Sequence, residues 1–267
     1  MLRENKVIEL EKITWKREER EILNHISWSV AKGEHWAVLG LNGSGKTSLL
    51  KIITGYQWPT KGKVSVLGQL FGKTNIPELR KSIGWVGSSL EEKFHTRPSD
   101  SVLEVVLSGK NASIGLYDEI NQEDVKKAEE LLTQFGIDHL ADQTYFSLSQ
   151  GEKRKTMIAR ALMPSPKLLI LDEPCNGLDL YSKEELLSTI EKMSYLPEGP
   201  TLLYVTHHIE ELVPSITHAL LIDNGRMVAA GPKKAVLTED VLSQTFHLPI
   251  SLNWEDDRPW IRVKSRN

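Results

Sequence analysis

The chain begins with alternating apolar and polar residues, a pattern that predicts extended strands. Two such segments, VIELEKITW and ILNHISWSV, precede a turn at Ala31 to Gly33, and the short apolar segment HWAVLG follows. Side chains along a strand point alternately to its two faces, so a period of two indicates a sheet with one buried face. Residues 6–40 are therefore predicted to be strands separated by turns.

The middle of the chain changes to helical spacing. Pro98, Ser99 and Asp100 are predicted to start a helix over SVLEVVLSG, and DVKKAEELLTQFGI has apolar residues at helical spacing until Gly136. Beyond residue 163 apolar segments alternate with helical ones. Buried strands alternating with helices are typical of a mostly parallel sheet. These segments are KLLILDEP, EELLSTIEKM, TLLYVTHH and ALLIDNGRMVAAG.

Composition and charge argue against several classes of protein. Hydrophobic residues make up 40% and charged residues 26%, which is ordinary for a globular protein, and no segment approaches the roughly eighteen apolar residues of a membrane-spanning helix. The first residues, MLRENKVIELEKITWK, contain no apolar signal core, and the single cysteine, Cys175, excludes an internal disulfide. We therefore expect a cytoplasmic protein. The net charge of -3 gives no strong nucleic-acid signal.

GLNGSGKTS fits the phosphate-binding pattern G-x-x-x-x-G-K-[ST], between an apolar strand and the helical segment SLLKIIT. Its glycines allow backbone amides to surround phosphate oxygens, and the helix start adds positive potential. Lys46 is predicted to reach the outer phosphates, and the Thr47 hydroxyl to bind Mg²⁺. A glycine-rich turn that binds nothing is the alternative, but pattern and context favour a nucleotide. The predicted contacts are Gly40, Asn42, Gly43, Ser44, Gly45, Lys46, Thr47 and Ser48.

Two carboxylates, Asp172 and Glu173, follow the four apolar residues Leu168 to Leu171. Such a strand is predicted to be buried, and ligands bind at the edge of the sheet where it ends. Because neighbouring side chains leave an extended chain in opposite directions, Asp172 is predicted to face Mg²⁺ and Glu173 to act as general base on the attacking water. A helix N-terminus that carries acidic residues is the alternative.

TLLYVTHH places His207 and His208 at the end of another apolar strand. A histidine on the sheet edge that holds the phosphates can contact the terminal phosphate, so His207 is the candidate for that role. Metal ligation by the pair is not expected, since adjacent side chains diverge and no third ligand is apparent. A polar surface histidine is the alternative.

LSQGEKRKT, residues 148–156, places Ser149 and Gly151 at the start of a helix, where a hydroxyl and free amides can hold an anion. In isolation, an N-cap followed by an amphipathic helix explains this segment. Taken in order, however, GLNGSGKTS, LSQGE, LLILDEP, GLD at 177–179 and the His207 strand resemble the ATP-binding-cassette (ABC) ATPases over nearly the whole chain.

The resemblance implies the ABC ATPase version of the P-loop NTPase fold. That fold is α/β, with a mostly parallel core sheet, an N-terminal antiparallel β region and a helical subdomain. The chain is then a single ABC ATPase domain of 267 residues. Within it, residues 1–90 and 164–267 are expected to form the β lobe, and residues 91–163 the helical subdomain that carries the signature loop.

In this family two copies pack head to tail, and each LSGGQ-type loop caps the ATP held by the other copy. The resemblance therefore implies a homodimer, or a pair of ABC ATPases, that hydrolyses ATP with Mg²⁺ and in which Asp179 joins the two sites. Trp15 is implied to stack on adenine; core packing, as expected for Trp28, Trp36 and Trp85, is the alternative. The residues implied to act in trans are Ser149, Gln150, Gly151 and Glu152.

Several positions depart from the family pattern. Ser88 stands where a glutamine normally follows the strand IGWVG, and serine lacks the reach and the amide of glutamine. This leaves the coupling between hydrolysis and lobe rotation open. Glu152 replaces the last signature glutamine, and His208 replaces an acid. Cys175, beside the carboxylates, is expected to be a small buried residue.

The one-cassette length and the ending GRMVAAGPKKAVLTEDVLSQTF resemble importer ATPases for metal chelates and oxyanions, and the Ser-Ser variation resembles a branch related to molybdate-transport ATPases. The implied function is to drive separately encoded membrane subunits, with the chain peripheral at the inner face of the cell membrane. The segment Ser88 to Pro98 is predicted to receive a short helix of that partner, or else to be a solvated loop. A soluble ABC ATPase acting on nucleic acid or the ribosome, and a nucleotide-binding regulator with little turnover, stay open.

Overall fold

The computed structural model of the chain describes residues 5–87, 99–111 and 120–264. These residues fall into two compact units. The first consists of the described residues of Met1–Arg80 and Thr201–Asn267, and the second of those of Lys81–Pro200. The second unit contains strands as well as helices, and the expected lobe boundaries at residues 90 and 163 stay a prediction.

The first unit contains an antiparallel sheet built from the N-terminal strands. Strand β1 (Lys6–Arg17) pairs with β2 (Arg20–Ala31) on one side and with β4 (Lys61–Val66) on the other, and β5 (Gln69–Leu70) extends the sheet beyond β4. Ile26, Trp28 and Val30 of β2 are buried at alternate positions, whereas register shifts in the β1–β2 pairing interrupt the alternation of β1 between Leu10 and Ile13. The N-terminal antiparallel region is confirmed.

A second sheet of this unit is mostly parallel. Strand β3 (Trp36–Leu39) pairs in parallel with β8 (Thr201–Thr206) and β9 (His218–Asp223), and every residue of β3 and β8 is buried. Burial on both faces explains why these strands are continuous apolar runs rather than alternating ones. The parallel core sheet is confirmed.

The segment ALLIDNGRMVAAG adds an antiparallel strand to this sheet. Strand β10 (Arg226–Pro232) returns beside β9 through a turn in which Asn224 and Gly225 have φ values of 47° and 71°. Positive φ at two successive residues is the geometry of a tight hairpin turn, for which Asn-Gly is the preferred pair. The segment therefore contributes one parallel strand, β9, and one antiparallel edge strand, β10, to the mostly parallel sheet.

A further hairpin, near the C-terminus, was not predicted from the sequence. Strands β11 (Ile250–Glu255) and β12 (Arg258–Val263) pair through a turn at Asp256 and Asp257, whose φ values are 47° and 62°. The helices of the first unit are α1 (Lys46–Ile53), α2 (Ile76–Arg80), the 3₁₀ helix Ile209–Glu211, α7 (Lys233–Val236) and α8 (Glu239–Phe246).

In the second unit, β6 (Ile83–Val86) pairs in parallel with β7 (Leu168–Asp172). Helix α3 (Val102–Leu107) packs against α4 (Gln122–Gln134) and α5 (Gln150–Leu162), and α6 (Leu180–Ser194) packs against α5. The 3₁₀ helices of this unit are Ser108–Asn111, Asp138–Leu140 and Tyr145–Ser147.

Helix α3 begins one residue later than its predicted start signals. Its N-cap is Ser101, whose hydroxyl accepts a hydrogen bond from the Glu104 amide at 3.2 Å, while the Glu104 carboxylate accepts one from the Ser101 amide at 2.8 Å. This reciprocal capping box, rather than Ser99 or Asp100, fixes the start; Pro98 lies outside the described residues. Gly136 follows α4 with a φ of 66°, as its predicted end requires. None of the helices in the described part of the chain has the length and apolar content to cross a bilayer.

Candidate nucleotide site

The phosphate-binding loop connects β3 to α1 and depends on its glycines. Gly40 has a φ of 155°, and a Cβ there would lie 2.2 Å from the carbonyl oxygen of Ile222. Only glycine therefore fits against strand β9. Gly43 has a φ of 82°, and nothing lies within 4 Å of the position that a Cβ would take. The loop is open at Gly43, where a phosphate can approach the backbone closely.

Lys46 lies folded over this loop. Its side chain is 6% exposed, and Nζ donates to the carbonyl oxygens of Gly40 at 2.6 Å and Leu41 at 3.2 Å. The ammonium is thus held at the loop instead of extending into solvent. A phosphate oxygen bound at the loop would share this positive charge.

The start of α1 can accept an anion. Its N-cap, Gly45, has a φ of 111° and offers no side-chain cap, and the first turn contains no acidic residue. Ser44 is 4% exposed, and its hydroxyl has no hydrogen-bond partner among the described residues. Buried polar groups are normally satisfied. A phosphate oxygen at the loop would be bound by the first amides of the helix.

The back of the loop is supported by residues that the sequence analysis missed. The Gly225 amide donates to the Ser44 carbonyl oxygen at 2.9 Å, and the Asn24 amide donates to the Gly225 carbonyl oxygen at 2.8 Å. Strand β2 and the β9–β10 turn therefore fix the loop from behind. The Asn-Gly pair at 224–225 was the available signal, since it marks a tight turn.

His207 follows β8 immediately, as predicted. The rings of His207 and His208 do not diverge, since their centroids are 4.1 Å apart and their planes form an angle of 39°. The expected divergence is wrong because β8 ends at Thr206 and the chain enters a 3₁₀ turn, in which the Glu211 amide donates to the His208 carbonyl oxygen. Within the described ranges, no group of three His, Cys, Asp or Glu side chains is placed to hold a metal ion.

The two carboxylates lie in the second unit, at the end of β7. Leu168 to Leu171 are buried and Asp172 is half-buried, as predicted. Glu173 has a φ of 51°, so the chain is no longer extended there. The premise of the prediction, an extended chain through Glu173, therefore fails, and the division of roles between the two carboxylates stays a prediction. The left-handed conformation of Glu173 costs about 1–3 kcal/mol and occurs at functional sites.

The end of β6 adjoins Asp172. A Cβ on Gly87 would lie 3.2 Å from the Asp172 Cβ and 3.6 Å from Oδ2. Ser88, the next residue, and the segment Glu91 to Pro98 lie outside the described residues, so their predicted roles stay predictions. Cys175 is buried, as predicted.

Ser149 is the N-cap of α5. Its hydroxyl accepts from the Glu152 amide at 3.3 Å, and Glu152 Oε2 accepts from the Ser149 hydroxyl at 2.7 Å and from its amide at 2.8 Å. These bonds, that from the Ser149 hydroxyl first, hold the pKa of the Glu152 carboxyl below its ordinary value. The departure at Glu152 thus gives the signature helix a charged capping box. Ser149 and Gln150 are exposed.

Asp179 and the signature helix contact the same serine. Asp179, the N-cap of α6, accepts from the Ser182 amide at 2.9 Å and from the Ser182 hydroxyl at 3.0 Å, and these bonds lower the pKa of its carboxyl. A Cβ on Gly151 would lie 3.1 Å from the Ser182 Cβ. Ser182 was not predicted from the sequence, because its contact with α5 is tertiary.

The tryptophans differ in burial. Trp15 is half-buried in β1, opposite Leu23 of β2, so its predicted stacking on adenine stays a prediction. Trp28 and Trp36 are each 4% exposed and pack edge to face at 5.3 Å, as expected of core residues, whereas Trp85 is half-buried. The first unit thus holds the phosphate-binding loop and His207, and the second holds the carboxylates, the signature loop and Asp179.

Comparison with known sequences identifies the family. A sequence model of the ABC transporter family matches residues 23–176. The chain is 44% identical to a provisionally named ABC transporter ATP-binding protein of Streptococcus mutans, over 94% of this chain and 96% of that one. It is 45% identical to the uncharacterised ABC transporter ATP-binding protein YlmA of Bacillus subtilis, over 96% of each. The molybdate import ATP-binding protein MolC of Haemophilus influenzae is 30% identical, over 92% of this chain and 90% of that one, which supports the predicted branch.

Solved structures agree. A transporter provisionally described as of metal-chelate type, in an inward-facing conformation, matches with a TM-score of 0.78 and 27% identity over 97% of both chains. The dimeric structure of the bacterial ABC transporter cassette MJ0796 matches with a TM-score of 0.70 and 25% identity, over 84% of this chain and 98% of that one. The predicted ABC ATPase fold is confirmed. With its phosphate-binding loop, its fold and its relatives in agreement, the chain belongs to the ABC transporter family, as one of its nucleotide-binding ATPase subunits.

Proposed function

We propose that the chain hydrolyses ATP to drive separately encoded membrane subunits of an importer, and that it does so as a homodimer or as half of a pair of ABC ATPases. In this assembly it is peripheral at the inner face of the cell membrane. The observation that carries the proposal is the phosphate-binding loop, where Lys46 lies over the loop and the buried Ser44 hydroxyl lacks a partner among the described residues.

Thr47 and Asp172 are proposed as the protein ligands of Mg²⁺ in an ATP·Mg²⁺ substrate. Mg²⁺ commonly takes one or two protein ligands and completes its shell with waters and phosphates. Thr47, exposed in the first turn of α1, offers a hydroxyl, and Asp172 offers a carboxylate at the end of β7. Bound there, the ion neutralises phosphate charge. Lys46 adds a second positive charge at the outer phosphates.

Glu173 is proposed as the general base. Its carboxylate takes a proton from the water whose oxygen attacks the terminal phosphorus, while the bond from that phosphorus to the ADP oxygen breaks. His207 is proposed to contact the terminal phosphate and so to hold it during attack. Trp15 stacks on adenine in this arrangement.

The surface around the signature loop supports pairing. Leu180 and Tyr181, directly after Asp179, are 75% and 76% exposed. Large apolar side chains exposed side by side mark a surface that a partner covers. A twofold pair would cover it in both copies, with Ser149 to Glu152 acting in trans. The dimeric cassette MJ0796, similar over most of this chain, also supports this assembly.

Relatives support a transporter over the rival functions. The proteins reported above are named as components of ABC transporters, and MolC is named for molybdate import. An exposed aromatic pair in the first unit, Tyr56 at 62% and Trp58 at 54%, offers further surface for a protein partner. We infer no substrate for transport, because the cargo need not contact this chain.

Replacing Glu173 by Gln tests the proposal. Glu173→Gln should lower phosphate release by at least about 100-fold, and should retain an ATP-dependent dimer in analytical ultracentrifugation. Glu198→Gln, at an exposed site, is the matched control and should behave as wild type. A Glu173→Gln variant that stays monomeric at saturating ATP and Mg²⁺ would overturn the composite site.

Binding of a DNA duplex or ribosome at physiological salt, with no membrane protein co-purifying, would favour the nucleic-acid rival.

A further inference from the structure

We propose that Glu211 is a positioning residue for His207, and that it acts through the hydroxyl of Thr206. The inference rests on the proposed function, in which His207 contacts the terminal phosphate. Glu211 lies four residues after His207, in the 3₁₀ helix that follows β8.

The Glu211 carboxylate is buried in a small polar network. It is 3% exposed, and its Oε2 accepts from the Thr206 hydroxyl at 2.7 Å and from the Tyr204 hydroxyl at 3.0 Å. Thr206 is 1% exposed and Tyr204 is fully buried. Burying a carboxylate is costly, and charge-assisted hydrogen bonds offset part of that cost. Packing alone does not require a carboxylate here, which points to a need for fixed geometry.

Thr206 transmits this geometry to the backbone around His207. Its hydroxyl gives its one proton to Glu211, so that its lone pairs are left to accept from the His208 amide, which lies at 3.0 Å. The Thr206 hydroxyl oxygen therefore binds both the Glu211 carboxylate and the amide of His208, the residue after His207. These two hydrogen bonds fix the backbone direction at His207 and so orient its side chain.

The segment after His207 is also held from its other side. Arg258 Nε, from β12, donates to the Glu210 carbonyl oxygen at 2.5 Å, and Lys233 Nζ donates to the Val213 carbonyl oxygen at 3.2 Å. The 3₁₀ helix is thus fixed against the C-terminal hairpin, and Glu211 is a fixed point from which Thr206 is oriented. None of these bonds involves the phosphate-binding loop.

This arrangement predicts a separation between catalysis and ATP binding. Loss of the network should move His207 while leaving the loop contacts intact. A misplacement of about 1 Å in a catalytic group can cost up to about 100-fold in rate. We expect Glu211→Ala and Thr206→Val each to lower kcat about tenfold, with the Kd for ATP changed less than about twofold. Because both break one network, the double variant should lose little more than either single variant.

Conservative variants separate positioning from general stability. Thr206→Ser keeps the hydroxyl that binds both the Glu211 carboxylate and the His208 amide, so it should keep kcat near wild type. Hydrogen exchange of the His208 amide reports the same contact without any turnover. It should speed up in Thr206→Val and Glu211→Ala but not in Thr206→Ser.

The outcomes distinguish this inference from the function on which it rests. If His207→Ala keeps wild-type turnover, the proposed role of His207 fails and the inference fails with it. If His207→Ala loses turnover while Thr206→Val and Glu211→Ala keep wild-type kcat, the inference alone is overturned. A lower melting temperature with unchanged kcat and unchanged His208 exchange also overturns it. Should Glu211→Ala not fold, Thr206→Val against Thr206→Ser carries the test.

Discussion

Gly151 packs against Ser182 so closely that a Cβ on the glycine would lie 3.1 Å from the Ser182 Cβ and 3.3 Å from its hydroxyl. The same serine binds both oxygens of the Asp179 carboxylate, through its amide and its hydroxyl. Helix α5, which carries the signature loop, and Asp179 therefore both contact Ser182. A substitution at Gly151 should perturb Asp179, and a substitution at Asp179 should perturb Gly151.

Gly151→Ala should weaken ATP-dependent pairing. The added methyl group must push Ser182 by a few tenths of an ångström and so disturb Asp179 at the proposed interface. We expect the dimer to weaken about tenfold, or about 1.4 kcal/mol, while ATP binding by the single chain is unchanged. Ultracentrifugation of the Glu173→Gln form with ATP and Mg²⁺ measures the first quantity, and a fluorescent nucleotide measures the second.

Ser182→Gly should relieve the steric clash that Gly151→Ala introduces. It removes the side chain that the new methyl group meets and keeps the amide that binds Asp179. The double variant should pair better than the two single effects predict, with a coupling energy of at least about 0.5 kcal/mol. Strict additivity of the two changes would show that the contact between Gly151 and Ser182 does not connect the two motifs.

Glu152→Gln should lower stability in a manner that depends on pH. The native pKa of Glu152 lies below its ordinary value of 4.5, so its charged form adds stability above that value and loses it as the pH falls through the native pKa. Glutamine keeps the reciprocal cap but not the charge. The difference in unfolding free energy should be about 0.5 kcal/mol or less at pH 7, and should disappear at strongly acidic pH.

Urea unfolding of both forms at several pH values measures this difference. Glu123→Gln, in the exposed first turn of α4, is the control and should show a weaker pH dependence. A difference that grows as the pH falls would contradict the assigned direction of the Glu152 pKa shift.

Lys233→Met should destabilise the first unit strongly. Lys233 is 4% exposed, and its ammonium donates to the carbonyl oxygens of Val213, Pro214 and Asp257 at 3.2, 3.4 and 2.9 Å. Methionine fills similar space but leaves these acceptors without that donor, at a cost of about 3 kcal/mol. Chemical denaturation measures the loss.

Lys234→Met is the matched control. Lys234 is the next residue, and its side chain is 65% exposed and forms an ion pair with the Asp257 carboxylate. Exposed pairs contribute less than about 1 kcal/mol, so this variant should remain close to wild type. Equal losses from the two substitutions would show that the buried ammonium has no special role in holding the C-terminal hairpin.

The features predicted well from the sequence are those that local physics determines. The loop around Lys46 was recognisable because a short spacing pattern, a preceding strand and a following helix all occur within one run of residues. The buried strands β7 and β8 were recognisable because burial on both faces leaves a continuous apolar run. Ser149 was recognisable as an N-cap for the same local reason.

The features that were missed depend on contacts between distant segments. The left-handed backbone of Glu173 is not encoded by its residue type, since glutamate rarely adopts that conformation. Ser182 is important because it contacts Gly151, which lies on another helix. Hairpin β11–β12 contains Pro259, which argues against a central strand, and it forms a separate two-stranded sheet. Its turn is held by hydrogen bonds from Lys233 to the Asp257 carbonyl oxygen and from Arg258 to the Glu210 carbonyl oxygen. Sequence pattern alone cannot supply such tethers.

Nucleotide binding at the phosphate-binding loop has a consequence for the lifetime of the protein. A ligand that binds only the native chain stabilises it by RT ln(1 + [L]/Kd), or about 2.7 kcal/mol at one hundred times Kd. Under the proposed function, ATP therefore stabilises the native subunit as well as serving as its substrate. When the ATP concentration falls, the nucleotide-free protein should become a better substrate for proteases.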